Sequence, residues 1–516
     1  MRVERKTDTG NSVIRLFFVV LAIAAQVYFL YILIAWLNGY STWIHIVTET
    51  IAVLLVLLIY GKHTTTSMKL PWIMLITAVP ILGVILWFLM ESRLATHPMK
   101  KRFEDIDRDL AVFLQQENGV QSSLKEQNFQ AAGIANYLWR KGSFPLYRND
   151  SCRYYADAAE ALESQLADLS RAEKFIFMEY FAIEDKESFA RIHAVLAQKV
   201  KEGVEVRLFY DDVGSISFIN GGFRAKMEAD GIRTRVFNPV LPSLRVFMNN
   251  RDHRKITVID GKIVYTGGYN LANEYFNVTH PYGEWKDAGI RLTGPAVRTY
   301  TTIFLEMWNA IRATDKDDRE FEGYFREHAE GSVDGFVQPY ADSPLDEEQV
   351  GESVYMSIAN GALDYLYFVT PYLILTDEMS RAITLAAERG VDVRIVTPGI
   401  PDKKITYQLT RSYYAQLVRK GVRIFEFTPG FCHAKCCVSD DFIATCGTIN
   451  LDYRSLYHHF EDGCVMYGTQ AVQDVKKDLD GLLERSREVT DLYRDGQQSL
   501  PIRIFRCVLR LAAPLM

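Results

Sequence analysis

The chain has no surplus of positive charge. Its 516 residues carry 58 Lys and Arg against 64 Asp and Glu, a net −6. Residues 1–90 hold six basic and three acidic side chains, so the rest holds 52 against 61 and stands at −9. A body of that sign binds polyanions poorly, which disfavours a nucleic-acid function. Cysteine is scarce and odd in number, seven in all. Cys432, Cys436, Cys437, Cys446 and Cys464 crowd into one stretch, where an oxidising compartment would risk mispairing; a reducing one is favoured. No C-x2-C pair is present: Cys432-His433-x2-Cys436-Cys437 lacks the spacing of a zinc site, and thiols packed in a strand are expected instead. Charged residues at 24% and aromatics at 12% exclude a disordered chain.

Long apolar runs are present, all near the amino terminus. Segments 13–37, 43–60 and 70–90 hold 23, 14 and 17 apolar residues. A helix needs about 20 to cross the hydrocarbon, so residues 1–95 are predicted to form a membrane anchor with two or three transmembrane segments. The first run is too long for a cleaved signal and no small-residue cleavage pattern follows it. Three spans would leave six cations on the amino-terminal side and four beyond, favouring an external body; one re-entrant segment would leave all ten inside. With the crowded cysteines, the expectation is a multi-pass cell-membrane protein with a cytoplasmic body. At the other end, Pro501–Met516 places Arg503, Arg506 and Arg510 at i, i+3 and i+7 beside Ile504, Phe505, Val508, Leu509 and Leu511. Both an interfacial amphipathic helix and a helix packed on the body fit residues 496–516.

The body between is a duplication. Gly203-Val-Glu-Val-Arg207 recurs as Gly390-Val-Asp-Val-Arg394, and Ala225–Pro239 matches Ala415–Pro429. His253-x-Lys255-x4-Asp260 then recurs as His433-x-Lys435-x4-Asp440. Order is kept while the offsets, 187, 190 and 180, drift by ten, so a whole unit is repeated. Residues 96–150 read as a linker and the start of the body, 151–330 as the first unit and 331–495 as the second. Within each, strand and helix patterns alternate: Lys174–Phe181, Phe189–Glu202, Val204–Tyr210 and Arg233–Phe237, then Tyr365–Thr370, Met379–Arg389, Val391–Thr397, Tyr407–Lys420 and Arg423–Phe427. Such alternation predicts an α/β class with layers around a largely parallel sheet.

Each unit ends in the same constellation. A spacing of two puts His253 and Lys255, or His433 and Lys435, on one face of a strand. Seven residues beyond each aspartate comes a small-residue turn and an asparagine, Gly267-Gly268-Tyr269-Asn270 and Gly447-Thr448-Ile449-Asn450. Glycine there would let backbone approach a ligand closely, and the Thr448 hydroxyl with the Asn270 and Asn450 amides are suitable phosphate donors. Two copies face to face supply two imidazoles and two ammoniums around one point. That suits displacement at a phosphodiester, with one histidine attacking phosphorus, the other protonating the leaving alkoxide, and lysines neutralising the phosphoryl oxygens without a metal or other cofactor.

HRKITVIDGKIVYTGGYN and HAKCCVSDDFIATCGTIN resemble the paired HKD boxes of the phospholipase D superfamily, and the likeness is closer to its bacterial cardiolipin synthases. It extends through FIFMEYFAI, GVEVRLFYDDVGS, YGEWKDAGIRLTGPAV, INLDYRSLYHHFED and the terminal LAAPLM. The resemblance implies two phospholipase D-like α/β/α units sharing one active site. It also implies phosphatidyl transfer between two phosphatidylglycerol molecules in the bilayer, giving cardiolipin and glycerol through a phosphatidyl-histidine. His253, Lys255, Asp260, His433, Lys435 and Asp440 form the implied catalytic set, His253 as nucleophile and His433 as acid, with both aspartates organising their boxes. Asn270, Asn450 and Thr448 would hold phosphate, and Asp287 and Glu461 would orient the imidazoles. A hydrolytic phospholipase D, a phosphatidylserine synthase and a silent scaffold are the alternatives.

Overall fold

The structure is a computed structural model that describes residues 42–62, 64–91, 97–239, 250–311, 321–326, 334–346, 348–494 and 500–515, with scattered positions between 17 and 32. The first apolar run, 13–37, otherwise lies outside the described residues. The second forms the helix Thr42–Gly61, which carries His45 and Glu49 in its first half. The run 70–90 is not one helix: it is divided at Val79 into Thr66–Ala78 and Pro80–Glu91. The residue before a proline is pushed out of the helical region, which breaks the helix ahead of Pro80. Among the described residues no helix is long and apolar enough to cross a membrane. The three pack around Ala52, Leu55, Ile59, Ile76 and Val84. They leave Trp43, Val53, Leu57 and Leu58 exposed.

The body holds two mixed sheets that repeat one another strand for strand. In the first the order is Ser151–Tyr155, Gly289–Thr293, Ile263–Gly267, Lys255–Ile259, Phe175–Tyr180, Glu205–Asp211 and Arg233–Phe237. In the second, His459–Tyr467, Ile443–Gly447, Cys436–Ser439, Tyr365–Val369, Asp392–Pro398 and Arg423–Phe427 take the places from Gly289–Thr293 onward, with Phe336–Asp342 and then Tyr147–Arg148 outside His459–Tyr467 and Ser486–Glu488 at the opposite edge. Among those shared strands, only the last three of each sheet pair with one another in parallel; the other pairs of neighbours run antiparallel. The expectation of a largely parallel sheet thus holds only for the part built by strand–helix–strand crossovers. Beyond it, each box strand turns back at once through residues of positive φ, Asp260 and Gly261 or Asp440 and Asp441. So tight a turn can join only antiparallel neighbours.

Phe177, Val258 and Ile290 of the first sheet meet Val369, Val438 and Cys464 of the second in one interlayer core. Ile176, Met178 and Leu208 point the other way, to the first unit's own helices. A strand buried on both faces reads as unbroken apolar sequence, which is why FIFMEY shows no alternation. Cys152, Cys432, Cys436, Cys446 and Cys464 are free thiols of that interlayer. The segment 96–150, expected as a linker and the start of the body, packs into the same cores from residue 97 on. Helix His97–Leu110 buries Met99, Phe103 and Leu110 in the interlayer, and helix Phe129–Gly142 buries Ala131, Ile134 and Leu138 in the second unit's outer core.

Candidate active site

The strands leading to the two histidines change partners between units. Arg251–Asp252, just before His253, pairs in parallel with His459–Phe460 of the second sheet, and the His253 amide donates to Phe460 O at 2.9 Å. Reciprocally, Gly430–Cys432 pairs with Glu284–Lys286 of the first unit, and the His433 amide donates to Lys286 O at 2.7 Å. These exchanges bring each imidazole to a carboxylate of the other unit. His253 Nδ1 lies 2.9 Å from both oxygens of Glu461, and His433 Nδ1 lies 2.7 Å from Asp287 Oδ2. All four side chains are buried. With Nδ1–H donated to a carboxylate, Nε2 is left as the reactive lone pair on each ring.

The electrostatics of these groups favour neutral imidazoles. Burial first, and then the Lys435 charge 2.8 Å from its Nδ1, lower His433 to about 4. Burial likewise takes His253 well below its ordinary value, against the pull of Glu461. Burial alone would push the Glu461 carboxyl up, yet His253 and His459 beside it hold it below the usual carboxylate range. Asp287 is held down in the same way by His433 and Lys435. Lys255 and Lys435 each donate to the backbone carbonyl of their own histidine. Burial lowers them to about 7 and about 8, and Lys435 is among the charges depressing Lys255. Two ammoniums so easily discharged favour an anion between them.

Other singled-out residues stand around this centre in different ways. Asp260 and Asp440 sit at the far ends of their strands, away from the imidazoles. Asp260 accepts from the amides of Glu173, Lys174 and Phe175, and Asp440 from those of Leu363, Asp364 and Tyr365. Thr448 is wholly buried behind Glu461: its hydroxyl donates to Glu461 Oε2 and accepts from the Asp462 amide. Asn270 Nδ2 donates to Tyr275 Oη at 2.8 Å while its Oδ1 accepts from the Ala182 amide. Asn450 Oδ1 is buried and accepts no hydrogen bond among the described residues.

The glycine turns lie tight against protein. A Cβ on Gly268 would lie 2.0 Å from Asp287 Oδ1, and one on Gly267 would lie 2.4 Å from Ala288 O. Gly268→Ala is therefore expected to push Asp287 off His433 and cut turnover about 10²-fold, with the melting temperature little changed. Steady-state kinetics beside a thermal melt would check both halves.

One residue at the centre was not singled out by sequence. The His459 ring is buried, 5.4 Å from that of His253, and its Nδ1 lies 3.6 Å from Glu461 Oε1. Among the described residues neither ring nitrogen has a partner at full hydrogen-bond distance. The signal that could have found it is its place two residues before Glu461, on the same face of one strand. His253, His459 and Glu461 bring their ligand atoms within 4.8 Å of one another, close enough to hold a metal ion. Phe181 packs edge-on against His253, and Trp285, Tyr275 and Phe431 surround His433. These aromatics wall the centre from bulk water.

Comparison with known proteins agrees with this architecture. The family model described as "Cardiolipin synthase, PLD-like domain" matches residues 166–308 and 355–483, and one described as "Phospholipase_D-nuclease N-terminal" matches 50–90. A Streptococcus mutans protein, described only as uncharacterized, is 41% identical over 89% of this chain and 99% of its own. Cardiolipin synthases of Alkalihalophilus pseudofirmus and Listeria monocytogenes are 30% and 29% identical, over 91% and 89% of this chain and 93% and 95% of theirs. A Haemophilus influenzae phosphatidylserine synthase shares the fold, with a TM-score of 0.56 at 15% identity over 74% of this chain and 99% of that one. With two matched segments lying over the two repeated units and relatives matching over nearly their whole length, the chain belongs to the cardiolipin synthase, phospholipase D-like family.

Proposed function

We propose that the protein is a cardiolipin synthase, moving a phosphatidyl group from one phosphatidylglycerol to the glycerol hydroxyl of a second and releasing glycerol. The observation that carries the chemistry is the crossed pairing of His253 with Glu461 and of His433 with Asp287. The named relatives, matched over about nine-tenths of the chain, support the substrate. His253 Nε2 attacks phosphorus; the P–O bond to glycerol breaks as His433 hands its proton to the leaving oxygen. The neutral His433 then takes the proton of the acceptor hydroxyl, the new P–O bond forms, and the P–N bond to His253 breaks. An arriving phosphodiester anion raises the His433 pKa, so the acid is charged as the substrate binds.

Lys255 and Lys435 neutralise the phosphoryl oxygens, and the route calls on no metal. Asn270 and Asn450 bind phosphate, Asn450 through the Nδ2 of an amide whose oxygen accepts no hydrogen bond among the described residues. Thr448 acts through Glu461. Asp260 and Asp440 hold their strands in place. Exposed apolar side chains on the amino-terminal helices support a membrane anchor, which would hold the site among lipid acceptors where water competes least. The free, buried thiols of Cys432, Cys436, Cys437, Cys446 and Cys464 support a cytoplasmic body.

Incubating the purified full chain with phosphatidylglycerol and EDTA should give cardiolipin and glycerol in equal amounts. Phosphatidic acid as the main product would mean a hydrolase, and phosphatidylserine formed only when serine is supplied would mean a different acceptor; either would overturn the reading. Glu461→Gln and Asp287→Asn should each cost about 10²- to 10⁴-fold in kcat, because the amide no longer fixes the productive tautomer of its histidine. The loss should fall on kcat and leave KM nearly unchanged. Both lysines must be charged to hold the phosphate, so kcat/KM should fall as pH rises through about 7 to 8. A pH–rate profile with no alkaline decline in that window would contradict their assigned role.

A further inference from the structure

The carboxy-terminal helix Leu500–Ala512 has its amphipathic faces turned the unexpected way for a soluble protein. Its basic side faces the body: Arg506 is buried and donates to Gln408 Oε1 at 2.9 Å, and the Arg510 guanidinium lies 4.3 Å over the Tyr413 ring. Its apolar side faces out, leaving Ile504, Phe505, Val508 and Leu511 exposed. Water would favour the opposite arrangement. Under the basic side lies a cavity of about 420 Å³, walled by this helix, by helix Lys404–Val418 and by the start of the amino-terminal helix Thr66–Ala78.

The lining of that cavity is strongly cationic. Arg411, Arg419, Arg503, Arg506 and Arg510 converge on it, and Asp377 is the carboxylate among its described lining residues. Arg411 is already paired, in two bonds, with Glu426. Among the described residues no carboxylate forms an ion pair with Arg419, Arg503 or Arg510. Leu70, Pro71 and Leu511 complete the wall on the side where apolar surface is exposed. Arg419, Arg503 and Arg510, with no carboxylate paired to them among the described residues, offer the recognition chemistry of phosphate. An apolar rim continuous with an outward apolar helix face is the chemistry of acyl chains.

We propose that this cavity is a binding site for the phosphate headgroup of an anionic phospholipid, separate from the histidine centre. Bound there, the lipid ties the carboxy-terminal helix and the amino-terminal helices to one leaflet and sets the body's height over the bilayer. The site stands independently of which acceptor the histidine centre uses.

The test uses the full chain in detergent micelles, titrated with soluble dioctanoyl phosphatidic acid and followed calorimetrically. His433→Ala should keep the lipid-binding component. Arg503→Gln with Arg510→Gln should weaken it about tenfold or more, and Arg419→Gln, on the opposite wall, should weaken it in the same direction. Turnover of short-chain phosphatidylglycerol by the arginine variants should stay within about twofold of the parent, showing that the body is folded. Dioctanoyl phosphatidylcholine should not compete. Unchanged affinity in both arginine variants would overturn the proposal, as would loss of the component in His433→Ala. Displacement of the lipid by equimolar inorganic phosphate would also overturn it, assigning the cavity to free phosphate.

Discussion

His253→Ala and His433→Ala are each expected to lower phosphatidyl transfer by about 10⁴-fold or more, although they sit in different halves of the chain. The reason is the exchange of partners between units. Neither half holds a complete set: the first has His253 but takes Glu461 from the second, and the second has His433 but takes Asp287 from the first. The two losses should differ in kind. A substrate whose alcohol leaves without protonation, such as a p-nitrophenyl phosphodiester, bypasses the acid but not the nucleophile. His433→Ala should therefore release about one equivalent of p-nitrophenol in a burst and then stall for want of its base, and His253→Ala should show no burst. Two independent half-sites would instead leave each variant with about half the parent activity.

Lys255→Met and Lys435→Met carry the next largest expected effect, about 10²- to 10³-fold each, the scale seen when one donor to a developing oxyanion is removed. Both ammoniums are buried, so their interaction with phosphoryl oxygen is screened little by water. Each also lowers the neighbouring imidazole, since Lys435 is the leading charge after burial in depressing His433. The substitution thus has a second signature: removing Lys435 should raise the His433 pKa. A histidine titration by NMR in the empty enzyme would detect that shift. A Lys435→Met chain with an unmoved His433 titration would separate the lysine from the imidazole it is placed beside.

Much of this was legible because the chain states it twice. The box strands, their flanking helices and the candidate residues were readable from repeated spacing, and the six shared strands of each sheet follow the same order. The partner exchange was not readable. It depends on two- and three-residue pairings, Arg251–Asp252 with the start of the His459–Tyr467 strand and Gly430–Cys432 with Glu284–Lys286, too short to leave a periodic signal. Chemical type alone also misled. Thr448 carries a hydroxyl suited to phosphate, but burial behind Glu461 commits that hydroxyl to the carboxylate. Gly268 allows a close approach, and what approaches is Asp287. His459 is not legible from the repeat, because the position two residues before the carboxylate holds Trp285 in the first unit.

The most direct test of the shared centre is to trap the intermediate. His433→Ala, mixed with the p-nitrophenyl phosphodiester and quenched early, lacks the base that would activate an acceptor. Peptide mass spectrometry should then find that substrate's phosphoryl group, with p-nitrophenol lost, on the fragment containing His253 and none on the other box. A label on the second-box fragment, or no label while p-nitrophenol is released in a stoichiometric burst, would contradict the account.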